Sequence, residues 1–275
     1  MTTMEINRAR RPATLPADMK VTQTRVIRSE WVKFWSLDST RIAIAVAFIG
    51  MVGIGILYTA LTASHWQNVP PGQRALIDPT SASLAGYTIA QLIVGVLGVL
   101  VVTGEYGTGM VRASLSAVPK RLPVVWAKMV VFAGITFVVT TVASLLAFFI
   151  GQAILNSQGI GTTIGAPGVL RAVIGMGLYL TGVGLLGVGL GWIIRNTAGA
   201  VSTVLGLLLV LPGIVEALPA SWGEHIAPYL PSVAGHEIAL VHPGMLGPWA
   251  GFGVLIGYVA VAAGIGAYLL ERRDA

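Results

Sequence analysis

The chain contains no cysteine, which excludes disulfides, thiolate metal sites and thiol nucleophiles. It is also short of charge. Only 10% of its 275 residues are Asp, Glu, Lys or Arg, against about 25% in a typical soluble domain. Catalytic patterns are missing as well. No Gly-x-Ser-x-Gly turn occurs, so the strained serine nucleophile of the hydrolases is absent. His236-Glu237 has Leu240 where a helical zinc-protease motif needs its second histidine. Lys20, Lys33, Lys120 and Lys128 follow Met, Val, Pro and Ala, whereas a phosphate-cradling loop places glycine before its lysine. The expectation is a protein that is not itself an enzyme and holds no metal.

What the chain has is apolar length. Hydrophobic residues make up 55% of it and the mean hydropathy is +0.81. Six apolar runs, 42–62, 84–103, 129–154, 172–194, 198–218 and 249–270, match the roughly 20 residues a helix needs to cross a bilayer. They do not alternate polar with apolar, as the strands of a membrane barrel do. The expected fold is an all-α polytopic membrane protein with six transmembrane helices. About 40 mixed residues precede the first run, longer than the polar start of a cleavable leader, so that run is expected to persist.

Positive charge orients the spans. With the N-terminus inside, of the 17 Lys and Arg only Arg74 and Arg171 fall outside. Trp31, Trp35, Trp126 and Trp192 then lie near the inner interface, and Trp66, Trp222 and Trp249 near the outer one. Both termini are expected in the cytoplasm. The net charge of +6 tracks the inner membrane face rather than a nucleic-acid motif, so anionic lipid is the expected partner and nucleic acid is not.

Residues 1–20 have few large apolar groups and read as a disordered cytoplasmic tail, followed by a single transmembrane domain over 21–275. At 100° per residue Ile27, Trp31, Phe34 and Trp35 share an arc of segment 22–38, with Arg25, Ser29, Lys33 and Ser36 opposite. An amphipathic helix in the inner interface follows. Pro70-Pro71-Gly72 reads as a turn. Between the fifth and sixth runs, Trp222, Ile226, Leu230, Val233, Ile238, Leu240 and Val241 are interrupted by Pro228, Pro231 and Pro243, which predicts short re-entrant helices. His65, His225, His236 and His242 fall on predicted outer loops and read as solvated histidines. Gly177, Gly184, Gly187 and Gly191 share a helix face, either as a packing seam or as a chance product of 35 glycines.

Intramembrane polar groups mark transport paths, and here they are sparse. Gln91, Thr140, Ser144, Thr181 and Ser202 are candidates for a substrate cavity. A cavity for an amphipathic solute suits them better than an ion path, which needs rings of carbonyls or charges. The most distinctive stretch is the polar segment 104–128 between the second and third runs, longer and more structured than a simple connector. Thr108 is placed to cap a short helix that Pro119 ends. Glu105 reads either as the fixed end of a lever or as a helix-end carboxylate paired with Arg112 or Lys128.

Glu105, Thr108, Gly109, Pro119, Lys120 and Lys128, with the Arg28-Ser-Glu-Trp-Val-Lys33 run and the six-span plan, give the chain its likeness to a family. From residue 22 onward it resembles the type-2 ABC exporter permeases, with the Gly-Thr pair of that pattern in reversed order as Thr108-Gly109, beside a direct Gly107-Thr108 pair. The resemblance implies that Glu105, Tyr106, Thr108, Gly109, Arg112, Pro119, Lys120 and Arg121 form a coupling helix seated on a cytoplasmic ABC ATPase. Arg195 would lie in a second contact. It also implies a permease homodimer in the cell membrane, with ATP and magnesium on the ATPase. The cargo would be a drug, peptide antibiotic, lipid or glycan. The rival readings are a membrane scaffold or sensor that recruits a cytoplasmic partner, and a proton-driven carrier.

Overall fold

A computed structural model describes residues 22–74, 76–111 and 122–273. Arg112, Pro119, Lys120 and Arg121, like the proposed tail 1–20, lie outside the described residues. Among the described residues there is no strand. Six helices are long and apolar enough to cross a membrane: Asp38–Asn68, Tyr87–Gly107, Leu122–Asn156, Val169–Ile194, Thr197–Glu216 and Pro248–Arg272. They coincide with the six predicted runs, and they are longer at most ends because hydropathy sees only the apolar centre of a helix. The second begins at Tyr87 rather than at residue 84, since Leu84 closes the short helix Pro79–Ser83.

The fourth span is the centre of the bundle: 78% of its apolar window is buried, against 22% for the first and fifth. Its glycines make this possible. A Cβ on Gly187 would stand 2.2 Å from the Gly95 carbonyl oxygen, and one on Gly98 would stand 2.0 Å from that of Gly184. The second and fourth spans therefore touch backbone to backbone, the close approach that small residues allow where lipid supplies no hydrophobic drive. Gly184 and Gly187 are a seam. Gly191 extends it onto Val99 and Val102, whereas Gly177 meets Thr141 of the third span. On other sides Gly189 meets Ala262 and Gly182 meets Leu255, which seats the sixth span.

The fifth span carries a π-helical turn at Gly206–Val210 immediately before Pro212. Proline donates no backbone hydrogen bond and its ring crowds the preceding turn, so widening that turn relieves the clash. The Pro70-Pro71-Gly72 turn is replaced by the short helix Pro71–Arg74, in which Pro71 occupies the first position that suits its fixed φ. Between the fifth and sixth spans the chain forms short helices at Ala220–Ile226 and Pro231–His236. The second of these packs on the sixth span: a Cβ on Gly251 would meet the Ala234 carbonyl, and one on Gly235 would meet Leu255. Arg171, at the start of the fourth span, donates to the carbonyls of Ile238, Leu240 and Val241 at 2.9–3.3 Å, which ties this loop down.

The N-terminal helix Gln23–Ser36 is turned differently from the predicted arc. Val26, Glu30 and Phe34 face the bundle, while Trp31 and Trp35 are exposed. Spacing of four residues puts Glu30 on the same stripe as two apolar groups, and the burial of a carboxylate there is offset by its ion pairs. Trp192 is 1% exposed: it sits in the bundle against Tyr106 rather than at a lipid interface.

Candidate functional site

Four charged side chains converge at one end of the bundle. Lys128, 3% exposed, stands 2.7 Å from Glu30 Oε2 and 2.8 Å from Glu105 Oε1. Lys33 reaches Glu30 Oε1 at 2.7 Å and Glu105 Oε1 at 3.3 Å. Two carboxylates and two ammonium groups thus form a closed ring of alternating sign, with formal charges that cancel. The four come from three elements: Glu30 and Lys33 from the N-terminal helix, Glu105 from the last turn of the second span, Lys128 from the start of the third. Glu105 is paired with Lys128, an arrangement that fits both roles read for it in the sequence.

The ion pairs set the ionisation of Glu30 and Lys33. Burial raises the Glu30 carboxyl, but Lys128 and Lys33 together outweigh it and hold Glu30 below its ordinary 4.5. Burial lowers the Lys33 ammonium, and hydrogen bonds and charge from Glu30 and Glu105 outweigh that in turn, leaving it above 10.5. The signs set a window. A depressed carboxyl contributes stability in full above 4.5 and loses it as pH falls through the lowered value. A raised amine contributes in full below 10.5 and loses it as pH rises through the raised one. Thermal unfolding in detergent is therefore expected to be flat between those limits as far as these two groups decide it. Glu30→Gln should remove the acid limb.

Beside the ring, Tyr106 packs edge-on against Trp192 with centroids 6.0 Å apart. The Arg195 guanidinium lies 5.1 Å over the Tyr106 ring and donates to the Leu269 carbonyl at 3.2 Å. Arg195 ends the fourth span in the left-handed region, at φ 56°, the conformation that closes a helix and turns the chain sharply. Asn196 then caps the fifth span by accepting from Gly199 N. Thr197 donates to Thr103 at 3.0 Å, which brings the tight turn against the second span. The structure thus gathers Glu105, Tyr106 and Arg195, three of the predicted coupling residues, at one end of the bundle.

Among the described residues Thr108 bonds backward, and the helix it was expected to cap lies largely outside them. The Thr108 hydroxyl donates back to Gly104 O at 2.9 Å, and its backbone N–H bonds the same carbonyl, so it closes the second span. Gly109, at φ 73°, makes the turn, and residues 110 and 111 are helical where the described segment ends. Glu30 and Lys33 were not among the predicted coupling residues. Two opposite charges three residues apart, within an otherwise apolar helix face, are the signal that marks them.

The proposed cavity residues divide. Thr140 and Thr181 both donate to the Gly177 carbonyl, at 3.3 and 2.7 Å, and Ser144 donates to Thr140 O. Gln91 accepts from the Tyr179 hydroxyl. All four are buried inside this chain, whereas Ser202 is exposed on the fifth span, apart from them.

The site and spans define a helical, multi-pass membrane protein with a buried ionic ring at one end. No family model matches the chain, and no curated protein matches it.

Proposed function

We propose that this chain is the membrane subunit of an ATP-driven exporter in the cell membrane, moved by a separate cytoplasmic ATPase. The observation that carries the reading is the Lys128–Glu105 contact at 2.8 Å. It joins the point where the chain leaves the second span to the point where it enters the third. The segment between is therefore a handle closed at its base. The same ring holds the N-terminal helix, and Arg195 on Tyr106 connects the handle to the fourth, fifth and sixth spans. A push on the segment would reach the whole bundle through salt bridges rather than a flexible linker.

In this reading the ring lies on the cytoplasmic side, where Lys and Arg concentrate, and the N-terminal helix lies in the inner interface with Trp31 and Trp35 toward lipid. The short helices between the last two spans dip into the outer leaflet, covered by protein as unsatisfied backbone requires. Two copies enclose the path of a hydrophobic or amphipathic cargo, and ATPase closure tilts the helices around it.

Co-purification tests this. A P-loop ATPase from the native host should accompany the chain in mild detergent, and Gly109→Pro should abolish the association, because proline cannot adopt the positive φ found there. Arg112→Glu, a single charge reversal, should weaken it at unchanged expression. An ATPase that stays bound to both variants places the dock elsewhere. An ATPase that binds but whose turnover ignores every cargo marks a scaffold instead.

A further inference from the structure

The opposite end of the bundle holds a cleft of about 500 Å³ between the first span, the start of the second and the loop that joins them. Its lining includes Ile54 and Tyr58 on one wall, Ile77, Asp78 and Ser81 on the loop side, and Tyr87 at the back. Tyr87 lies 18 residues from Glu105 along one helix, about 27 Å at 1.5 Å per residue, close to the thickness of a bilayer's hydrocarbon. The cleft therefore sits at headgroup level on the face away from the ionic ring.

Its charge is of one sign. Asp78 is the single ionisable acid or base other than tyrosine in the lining. Its two oxygens accept from Thr80 N, Ser81 N and Ser81 Oγ, which leaves about one of the roughly four acceptor positions of a carboxylate open. Arg74, the nearest base in the loop, is turned elsewhere: Nε donates to Val69 O at 2.9 Å, Nη2 to Gln67 O at 3.3 Å, and the guanidinium lies over Trp66. His236 stacks behind Tyr87 with centroids 4.1 Å apart, which fixes the ring. Burial holds its imidazole near 4 and so neutral.

The geometry points to a binding site for a monocationic amphiphile, its ammonium between Asp78 and the ring faces of Tyr58 and of Tyr87 on the side away from His236 and its chain along Ile54 and Ile77. Aromatic rings beside a carboxylate are what such a head requires, and the volume is that of a small-ligand site. A zwitterionic phospholipid fits less well, because no cation in the lining receives its phosphate. The site goes beyond the export reading and does not depend on it, since binding needs no ATPase.

The test is equilibrium dialysis of labelled dodecyltrimethylammonium against the full chain in phosphatidylcholine nanodiscs, with empty discs subtracted. Saturable uptake of one per chain is expected, with dodecyl sulfate excluded. Asp78→Asn keeps a cap for the loop helix and should weaken binding about tenfold or more through loss of the charge pair. Tyr58→Leu, which alters a half-exposed side chain, should weaken it about threefold through loss of the ring. Uptake that never saturates, equal uptake of the sulfate, or wild-type affinity in Asp78→Asn would each overturn the assignment. If Asp78→Asn lowers the unfolding temperature, Tyr58→Leu decides: weakened binding supports the site and unchanged binding overturns it.

Discussion

Replacing Lys128 with methionine is expected to be among the most damaging single changes in the protein. Methionine is similar in length, so packing is largely kept and the loss is electrostatic. It leaves Glu30 and Glu105, 4% and 9% exposed at their side chains, sharing Lys33 alone. Removing one partner of a buried ion pair costs about 3–5 kcal/mol, because the remaining charge is neither solvated nor compensated. A loss of that size is a large part of a typical total stability of about 5–15 kcal/mol, so lower membrane yield and a sharply lower unfolding temperature are expected. The double change Lys128→Met with Glu105→Gln restores neutrality around Glu30 and Lys33 and should recover most of the loss. Lys33→Met should cost less, since Lys33 is 23% exposed and water can compensate. Equal stability of Lys128→Met and wild type would remove the ring as the fastening of the handle.

The spans were legible in the sequence and the ring was not, for a common physical reason. Hydropathy reports how a segment partitions into lipid, and six long apolar runs leave few alternatives. It says nothing about which face of a helix meets protein. The arc through Ile27, Trp31, Phe34 and Trp35 is apolar, yet the bundle takes the stripe Val26, Glu30 and Phe34, because the two carboxylates and two ammonium groups satisfy one another only when Glu30 and Lys33 turn inward. That cooperation joins residues about 100 positions apart, so the local pair Glu30 and Lys33 does not name its partners. Glu105 and Lys128 were visible as charges at span ends, and their pairing was one of two readings open. Thr108 illustrates the ambiguity of a short polar residue at a helix boundary: the same hydroxyl suits the end of one helix and the start of the next. Trp192 stands in the last turn of its span, and a tryptophan at that depth faces lipid or protein according to its neighbours. Here glycine decides, since a Cβ on Gly266 would meet Trp192 at 2.7 Å.

Alanine at Gly187 or Gly98 is expected to disrupt the bundle at its centre. A new Cβ would stand 2.2 or 2.0 Å from a backbone carbonyl oxygen, and a backbone atom cannot swing aside as a side-chain tip does. The second and fourth spans must separate or slide. Overpacking of this kind costs about 1–3 kcal/mol and more when a backbone must move, or about 2–4 °C of unfolding temperature per kcal/mol for a chain of this size. Gly104→Ala supplies the control, because nothing lies within 4 Å of its Cβ position and alanine favours helix by about 1 kcal/mol over glycine. The paired change Gly98→Ala with Gly187→Ala should cost less than the sum of the two alone: both lie on one seam, and a single separation of the helices accommodates both methyl groups. Because the seam joins the span that carries Glu105 in its last turn to the span that Arg195 caps, separation there should also move the handle relative to the turn that braces it. A crosslink measured between cysteines introduced at Tyr106 and Arg195 should fall in yield in the alanine variants and stay unchanged in Gly104→Ala. Unchanged yield in all three would show that the spacing of Tyr106 and Arg195 does not depend on the glycine seam.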